Sequence, residues 1–200
     1  MKLPMFDEAL RQLKIAFLLL LSMSVVTGLV YPAVVTGIAQ IVFPLKAAGS
    51  LLHRSGEIRG SLFIGQSFSG PQYFWGRPSA TTPYPYNAES SSASNYGPMN
   101  EDYLAAVKQR VAALQQGAAD NQVPVDLVTS SSSGLDPEIS PFAARYQVPR
   151  IAQARGLTTD TVLKIISDTE KPRLLGVFGE PRVNVLQLNL ALDDYSANKG

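Results

Sequence analysis

The sequence predicts an α+β fold in which one N-terminal transmembrane helix is followed by a single mixed soluble domain. Three observations carry that prediction. A charge-free stretch runs from Ile15 to Leu45, bounded by Lys14 and Lys46. Beyond residue 60, segments with helical and strand periodicity follow one another without an internal repeat. The chain has 200 residues, 46% hydrophobic and 16% charged, which suits one compact domain plus an anchor.

A helix needs about 20 apolar residues to cross roughly 30 Å of hydrocarbon, and residues 15–36 supply them. Ser22, Ser24 and Thr27 fit such a span, because a helical hydroxyl can bond a carbonyl one turn back. Tyr31 suits a membrane interface, and Pro32 can kink or end the helix. Ser24 and Gly28 lie one turn apart and would let another helix approach closely in lipid. A cleaved signal peptide would have a shorter apolar run, about 7–15 residues, ending in a small-x-small site. Lys2, Arg11 and Lys14 precede the span, so the positive-inside rule makes residues 1–14 a cytoplasmic segment. Residues 37–59 then form an interfacial segment and linker, and residues 60–200 an extracytoplasmic α+β domain.

Before that domain Gly49 to Ile58 reads as linker leaving the membrane, and within the domain Ser61 to Ile64 reads as a short buried strand between glycines. Ser69 to Pro98 is rich in turn formers, and its aromatic residues predict a long ordered loop. Asn100 caps a helix with Glu101 and Asp102 in its first turn, Leu104 to Leu114 on one face and Gly117 at its end. Val125 to Thr129 reads as a strand and Ser130 to Gly134 as a polar turn. Ser140 caps a short helix with Pro141 at its first position, and Pro149 limits it. Ile151 to Arg155 forms another helix before Gly156. Thr158 caps the next, with Leu157 and Val162 as a hydrophobic staple. Leu174 to Phe178 is a candidate strand. Leu186, Leu188, Leu190 and Leu192 alternate with Gln187, Asn189 and Ala191, the period of a strand with one buried face.

Composition narrows the chemistry. With no cysteine there is no disulfide framework, thiolate metal site or thiol nucleophile. A net charge of +1, without a basic run, gives no nucleic-acid footprint. His53 is the single histidine, so a His-based metal cluster is excluded, and an anchored serine hydrolase would have to depend on it. No phosphate-binding glycine motif or nucleophile elbow occurs. Arg77 can clamp an anion or pin its own loop, and Asp136 fits a turn. These residues assemble no catalytic site, and no cofactor or metal of the chain's own is expected.

An ordered set of motifs spans nearly the whole chain. It begins with Tyr31-Pro32, Gly60-Ser61, Ile64-Gly65-Gln66, Tyr73-Phe74 and Gly76-Arg77-Pro78-Ser79-Ala80-Thr81. It continues with Pro85-Tyr86-Asn87, Asp126-Leu127-Val128-Thr129, Ser133-Gly134-Leu135-Asp136 and Ile139-Ser140-Pro141. It closes with Gln147, Pro149-Arg150, Val183-Asn184-Val185 and Leu188 to Asp193. In this set the sequence resembles the KdpC family, the C subunits of Kdp potassium-transporting P-type ATPases. Tyr96 and Ala118 to Gln122 depart from the pattern in loops of variable length.

The resemblance implies an accessory subunit in a bacterial inner membrane. Its partners would be a potassium-translocating subunit, a P-type ATPase catalytic subunit and a small membrane peptide, which handle ATP and potassium. It further implies a catalytic chaperone that raises the ATP affinity of the catalytic subunit, with Gln147 as a suggested nucleotide contact. The residue itself offers a neutral amide with two donors and an acceptor, suited to a ribose, a base or a backbone. An anchored extracytoplasmic solute-binding module, using the aromatic loop from Tyr73 to Tyr86, is the alternative.

Overall fold

The computed structural model describes residues 4–54, 56–115 and 122–197. Gly117, expected to end a helix, lies outside them. The chain divides into two compact units, Met1–Ser50 and Leu51–Gly200.

The first unit is helical: α1 (Pro4–Val25), a π-helical turn (Val26–Val30), α2 (Tyr31–Val42) and a short α3 (Pro44–Ala47). Pro32 neither ends the helix nor stands alone as its irregularity. A proline has no N–H and crowds the carbonyl one turn back, so an uninterrupted α-register is unfavourable there. The π turn just before it changes the register, and the Tyr31 N–H bonds the carbonyl of Val26 five residues back. Thr27 Oγ1 donates to Met23 O at 2.8 Å and Ser22 Oγ to Leu19 O at 3.0 Å, satisfying the hydroxyls within the helix. The apolar helix runs from Phe6 to Val42, 37 residues, with none of its most hydrophobic window buried. At about 1.5 Å per residue this exceeds the roughly 30 Å of a hydrocarbon core. A helix serving as a soluble core would bury one face.

The second unit opens with an antiparallel hairpin, β1 (Leu51–Arg54) and β2 (Glu57–Ser61), bulged between Leu52 and His53. The segment read as linker is therefore largely a β-ribbon, and the strand expected at 61–64 is a turn following it. Gly60 sits at φ 151°, where a Cβ would strike the Gln66 side chain and Leu186. No helix or strand occurs from residue 62 to 100, as the turn-rich composition predicts.

Helix α4 (Glu101–Gln115) begins under the Asn100 cap, whose Oδ1 accepts from the Tyr103 N–H at 3.0 Å. The expected strand at 125–129 is instead one helical turn, α5 (Val125–Val128). Pro124 fixes its entry, the Thr129 N–H closes on Val125 O, and Leu127 and Val128 are buried. The two-residue strands β3 (Glu138–Ile139) and β4 (Val183–Asn184) pair antiparallel. Ser140 caps α6 (Pro141–Tyr146), accepting from the Ala143 N–H at 3.0 Å. Helix α7 (Val148–Arg155) ends at Gly156, in the left-handed conformation with φ 63°. Thr158 caps α8 (Thr159–Thr169), whose Val162, Ile165 and Ile166 are buried. The segment Leu174 to Phe178 is a tight exposed turn closed by a single bridge, not a packed strand.

The largest departure is α9 (Val185–Ala197), where leucine alternation suggested a strand. Asn184 Oδ1 accepts from the Gln187 N–H at 3.0 Å and starts the helix. Val185, Leu188, Asn189 and Leu192 form one helical stripe, while Leu186 is buried beside it. A helix covered on most of its circumference loses the polar face that marks its period. Leucine, alanine and glutamine favour the helix locally. The core joins α6 to α9 with β3, β4 and Phe74 from the long loop.

Candidate functional site

Gln147 occupies the junction between α6 and α7, with φ −85° and ψ −9°. That corner turns its side chain toward the loop around Trp75, and only 2% of the residue is exposed. Its Oε1 accepts from the Trp75 N–H at 2.8 Å and from Arg150 Nη2 at 2.7 Å. Its Nε2 donates to Trp75 O at 3.1 Å and to Ala143 O at 3.2 Å. The amide has two donor hydrogens and two lone pairs, and this set occupies all four.

Asn189 repeats the arrangement one residue earlier. The Phe74 N–H donates to its Oδ1 at 2.8 Å, and its Nδ2 donates to Phe74 O at 3.0 Å. Each carboxamide thus imitates the neighbouring strand that this segment lacks. Arginines complete the pattern. Arg150 Nη1 donates to Pro71 O and, at 3.0 Å, to Tyr73 O. Arg155 Nε donates to Gln72 O at 2.7 Å. Five consecutive carbonyls, Pro71 to Trp75, are therefore each held by a side chain. Buried backbone groups need partners, and the helices provide them here through side chains.

Electrostatics reinforce the clasp. The Arg150 guanidinium lies 3.7 Å from the centre of the Trp75 ring, a cation–π contact. Burial pulls Arg150 down to about 10, still a cation at neutral pH. Arg155 pairs with Asp193 at 2.7 Å, and its guanidinium carbon lies 5.0 Å from the Tyr73 ring centre.

Farther along the loop, Ser79 Oγ donates to Gly134 O at 2.7 Å and accepts from the Tyr86 N–H at 2.9 Å. Thr81 Oγ1 donates to Tyr84 O and accepts from the Asn87 N–H. Gly134, at φ 67°, lies so close to Thr81 and Ser92 O that a Cβ would clash. Arg77 pairs with Asp136 at 3.1 Å and donates to Ser130 O at 3.4 Å, so it pins its own loop. The Tyr86 hydroxyl donates to Arg77 O. Burial first, then Asp136, pushes the phenol up to about 12, with Arg77 opposing. Within the serine turn, Ser131 and Ser133 accept from the N–H groups of Gly134 and Leu135, which is turn chemistry. His53 is exposed on β1, far in character from a buried base.

A polar cleft of about 520 Å³ is lined by Arg54, Arg59, Gln66, Tyr73 and Asp193. Its cations are already matched: Arg54 with Asp193 at 3.6 Å and Asp194 at 2.5 Å, and Arg59 with Glu57 at 3.0 Å. In the other unit, Ser24 lies in the last turn of α1 and Gly28 within the π turn. Both are exposed, and a Cβ on Gly28 would meet nothing within 4 Å.

The family resemblance singled out Gln147, and Asn189, its counterpart, was missed. The signal was present, since a polar residue between Leu188 and Leu190 falls on the buried stripe once the segment is read with helical period. Arg150 and Arg155 carried no comparable signal: an arginine in a last helical turn, as Arg155 is, is ordinary, and nothing local to Arg150 in the first turn of α7 points to a loop more than 70 positions away.

Residues 13–194 match the family profile described as KdpC, the K+-transporting ATPase c chain. A potassium-transporting ATPase KdpC subunit from Herpetosiphon aurantiacus is 59% identical over 172 residues, 85% of this chain and 89% of that protein. The subunit of the same name from Burkholderia orbicola is 55% identical over 186 residues, covering 92% and 95%. That from Dechloromonas aromatica is 55% identical over 186 residues, covering 92% and 97%. With the profile covering the apolar helix and the clasped domain alike, the chain belongs to the KdpC family of K+-transporting ATPase subunits.

Proposed function

We propose that this chain is a non-catalytic subunit of a bacterial inner-membrane potassium pump, anchored by one helix with its N-terminus in the cytoplasm. The soluble domain works outside the cytoplasm. There it stabilises an assembly with a potassium-translocating subunit, a P-type ATPase subunit and a small membrane peptide. The observation that carries this reading is identity above half with KdpC subunits across nearly the full length of both chains. The 37-residue apolar helix, none of whose most hydrophobic window is buried, supports the membrane assignment, and Ser24 and Gly28 offer a face for close helix packing. Co-expression with the other pump subunits, followed by detergent extraction and affinity capture, tests it. Wild-type chain is expected to co-purify, and Ser24→Leu with Gly28→Leu to reduce recovery. Failure of the wild-type chain to co-purify removes the reading. A cysteine at Ser132, in a chain with no native cysteine, should react with an impermeant thiol reagent in intact cells; labelling only after lysis reverses the orientation.

The same reading includes a rise in the ATP affinity of the catalytic subunit. A direct nucleotide contact by Gln147 requires its four internal hydrogen bonds to open. We therefore assign Gln147 to the clasp on Trp75 and give any influence on ATP an indirect route through the loop. Asn189→Ala should then raise the ATP KM of the complex in the same direction as Gln147→Ala. A rise confined to the Gln147 variant would restore direct contact. The solute-binding alternative draws on the polar cleft, and titration of the full chain in detergent with nucleotides and sugars should give no tight binding.

A further inference from the structure

Residues 170–182 form a ribbon that projects apolar side chains into solvent. Lys171 and Arg182 exchange backbone hydrogen bonds of 2.8 and 3.0 Å, and Leu174 and Phe178 exchange bonds of 2.8 and 2.9 Å. Leu175 and Gly176 turn the chain at φ 54° and 74°. The end is thus built before any partner arrives. It presents Leu174, Leu175, Val177 and Phe178, which are 66, 82, 70 and 64% exposed. No other five-residue stretch in the described part of this unit exposes four large apolar side chains. A branched residue at positive φ is unfavourable where glycine or asparagine would serve a water-facing turn. The turn nonetheless holds Leu175 there, its most exposed apolar side chain.

The surrounding charges choose between lipid and protein as the occupant. A tip seeking anionic lipid carries free cations around its apolar end. This ribbon has three cations, Lys171, Arg173 and Arg182, against the carboxylates Glu170 and Glu180. Arg173 is paired with Glu180 at 2.6 Å and Arg182 with Glu138 at 3.0 Å, while Glu170 is held by Arg145 at 3.0 Å. Among the described residues Lys171 alone of these charges is in no ion pair, and a single free cation falls short of the cluster that draws a segment to anionic lipid. An apolar centre inside a rim of otherwise paired charges is the anatomy of a protein interface. Resting on the subunit reading above, we propose that the 174–178 tip plugs an uncharged apolar pocket on another subunit of the potassium-transporting ATPase.

The test uses the full chain co-expressed with the pump subunits. L175S/F178S should lower recovery in affinity capture by about tenfold or more, the scale of losing anchors from an interface. Val125→Ser, at an exposed apolar position outside the tip, should leave recovery unchanged. Equal recovery of L175S/F178S and wild type overturns the proposal alone, whereas absent wild-type recovery overturns the subunit reading beneath it. A second measurement does not depend on the variant's folding. An environment-sensitive fluorophore on Leu175→Cys should shift to the blue only in the assembled complex. A blue shift with the chain alone in phosphatidylethanolamine–phosphatidylglycerol vesicles makes lipid the occupant and overturns the proposal.

Discussion

The loop around Phe74 and the ribbon ending at Leu175 are opposites. The loop has no regular secondary structure, yet Phe74 is wholly buried and its backbone is bonded by side chains from α7, α9 and the α6–α7 corner. The ribbon has paired backbone groups, yet its apolar side chains touch solvent. Regular hydrogen bonding is therefore a poor guide to which segment belongs to the folding unit. The disposition of side chains decides it: those of the loop are committed inward, and those of the ribbon remain available.

The sharpest way to break this contrast is Phe74→Ala. Emptying a fully buried aromatic site costs about 3–5 kcal/mol. Trp75 is the single tryptophan, so its fluorescence reports directly on the loop during denaturation of the full chain in detergent. A loss below about 1 kcal/mol would mean that the loop is an accessory to the core. Asn189→Ala and Gln147→Ala come next. Each strands a buried N–H and C=O, at about 2–3 kcal/mol per variant. Because they hold adjacent peptides, the double variant should lose less than the sum of the two. Strict additivity would separate the two clasps.

Much of this arrangement was legible in the residues, and the failures have physical causes. The long apolar helix followed from length and absence of charge. The Ser140, Thr158 and Asn100 caps followed from local chemistry that tertiary packing left intact. Val125 to Val128 misled because β-branched residues suit a strand, while Pro124 and a bond between the Ser140 N–H and Asp126 favour one helical turn. The α9 leucines misled because burial on several sides leaves no polar face to set the period. The clasp was beyond reach from sequence alone. It depends on Gln147 and Asn189, 42 positions apart, meeting consecutive residues of a loop more than 70 positions away from either.

Tyr86 sharpens the contrast through pH. Its phenol is raised from 10.0 to about 12 in the folded chain, first by burial, so ionisation opposes folding. The stabilising term is fully present below pH 10 and is lost as pH rises from 10 to about 12. Arg150 runs the other way: burial lowers it to about 10 from 12.5, so its penalty is relieved over the same range. A Tyr86→Phe variant retains the Arg150 term, so the difference between the two proteins isolates the phenol. Wild type should lose up to about 2 kcal/mol more than the variant between pH 10 and 12. Parallel melting curves across that window would place Tyr86 in contact with water.

The smallest expected effect is the most telling. Leu175→Ser alters the most exposed apolar side chain of the ribbon while leaving the Leu174–Phe178 backbone bridge in place. An apolar side chain that already faces water contributes almost nothing to folding, so the full chain in detergent should change by less than about 0.5 kcal/mol. Phe74 and Leu175 are both large and apolar, and their opposite sensitivities would arise from burial alone. A stability loss above about 1 kcal/mol for Leu175→Ser would mean that the tip packs within its own chain. The division between a segment committed to the fold and one available to a partner would then collapse.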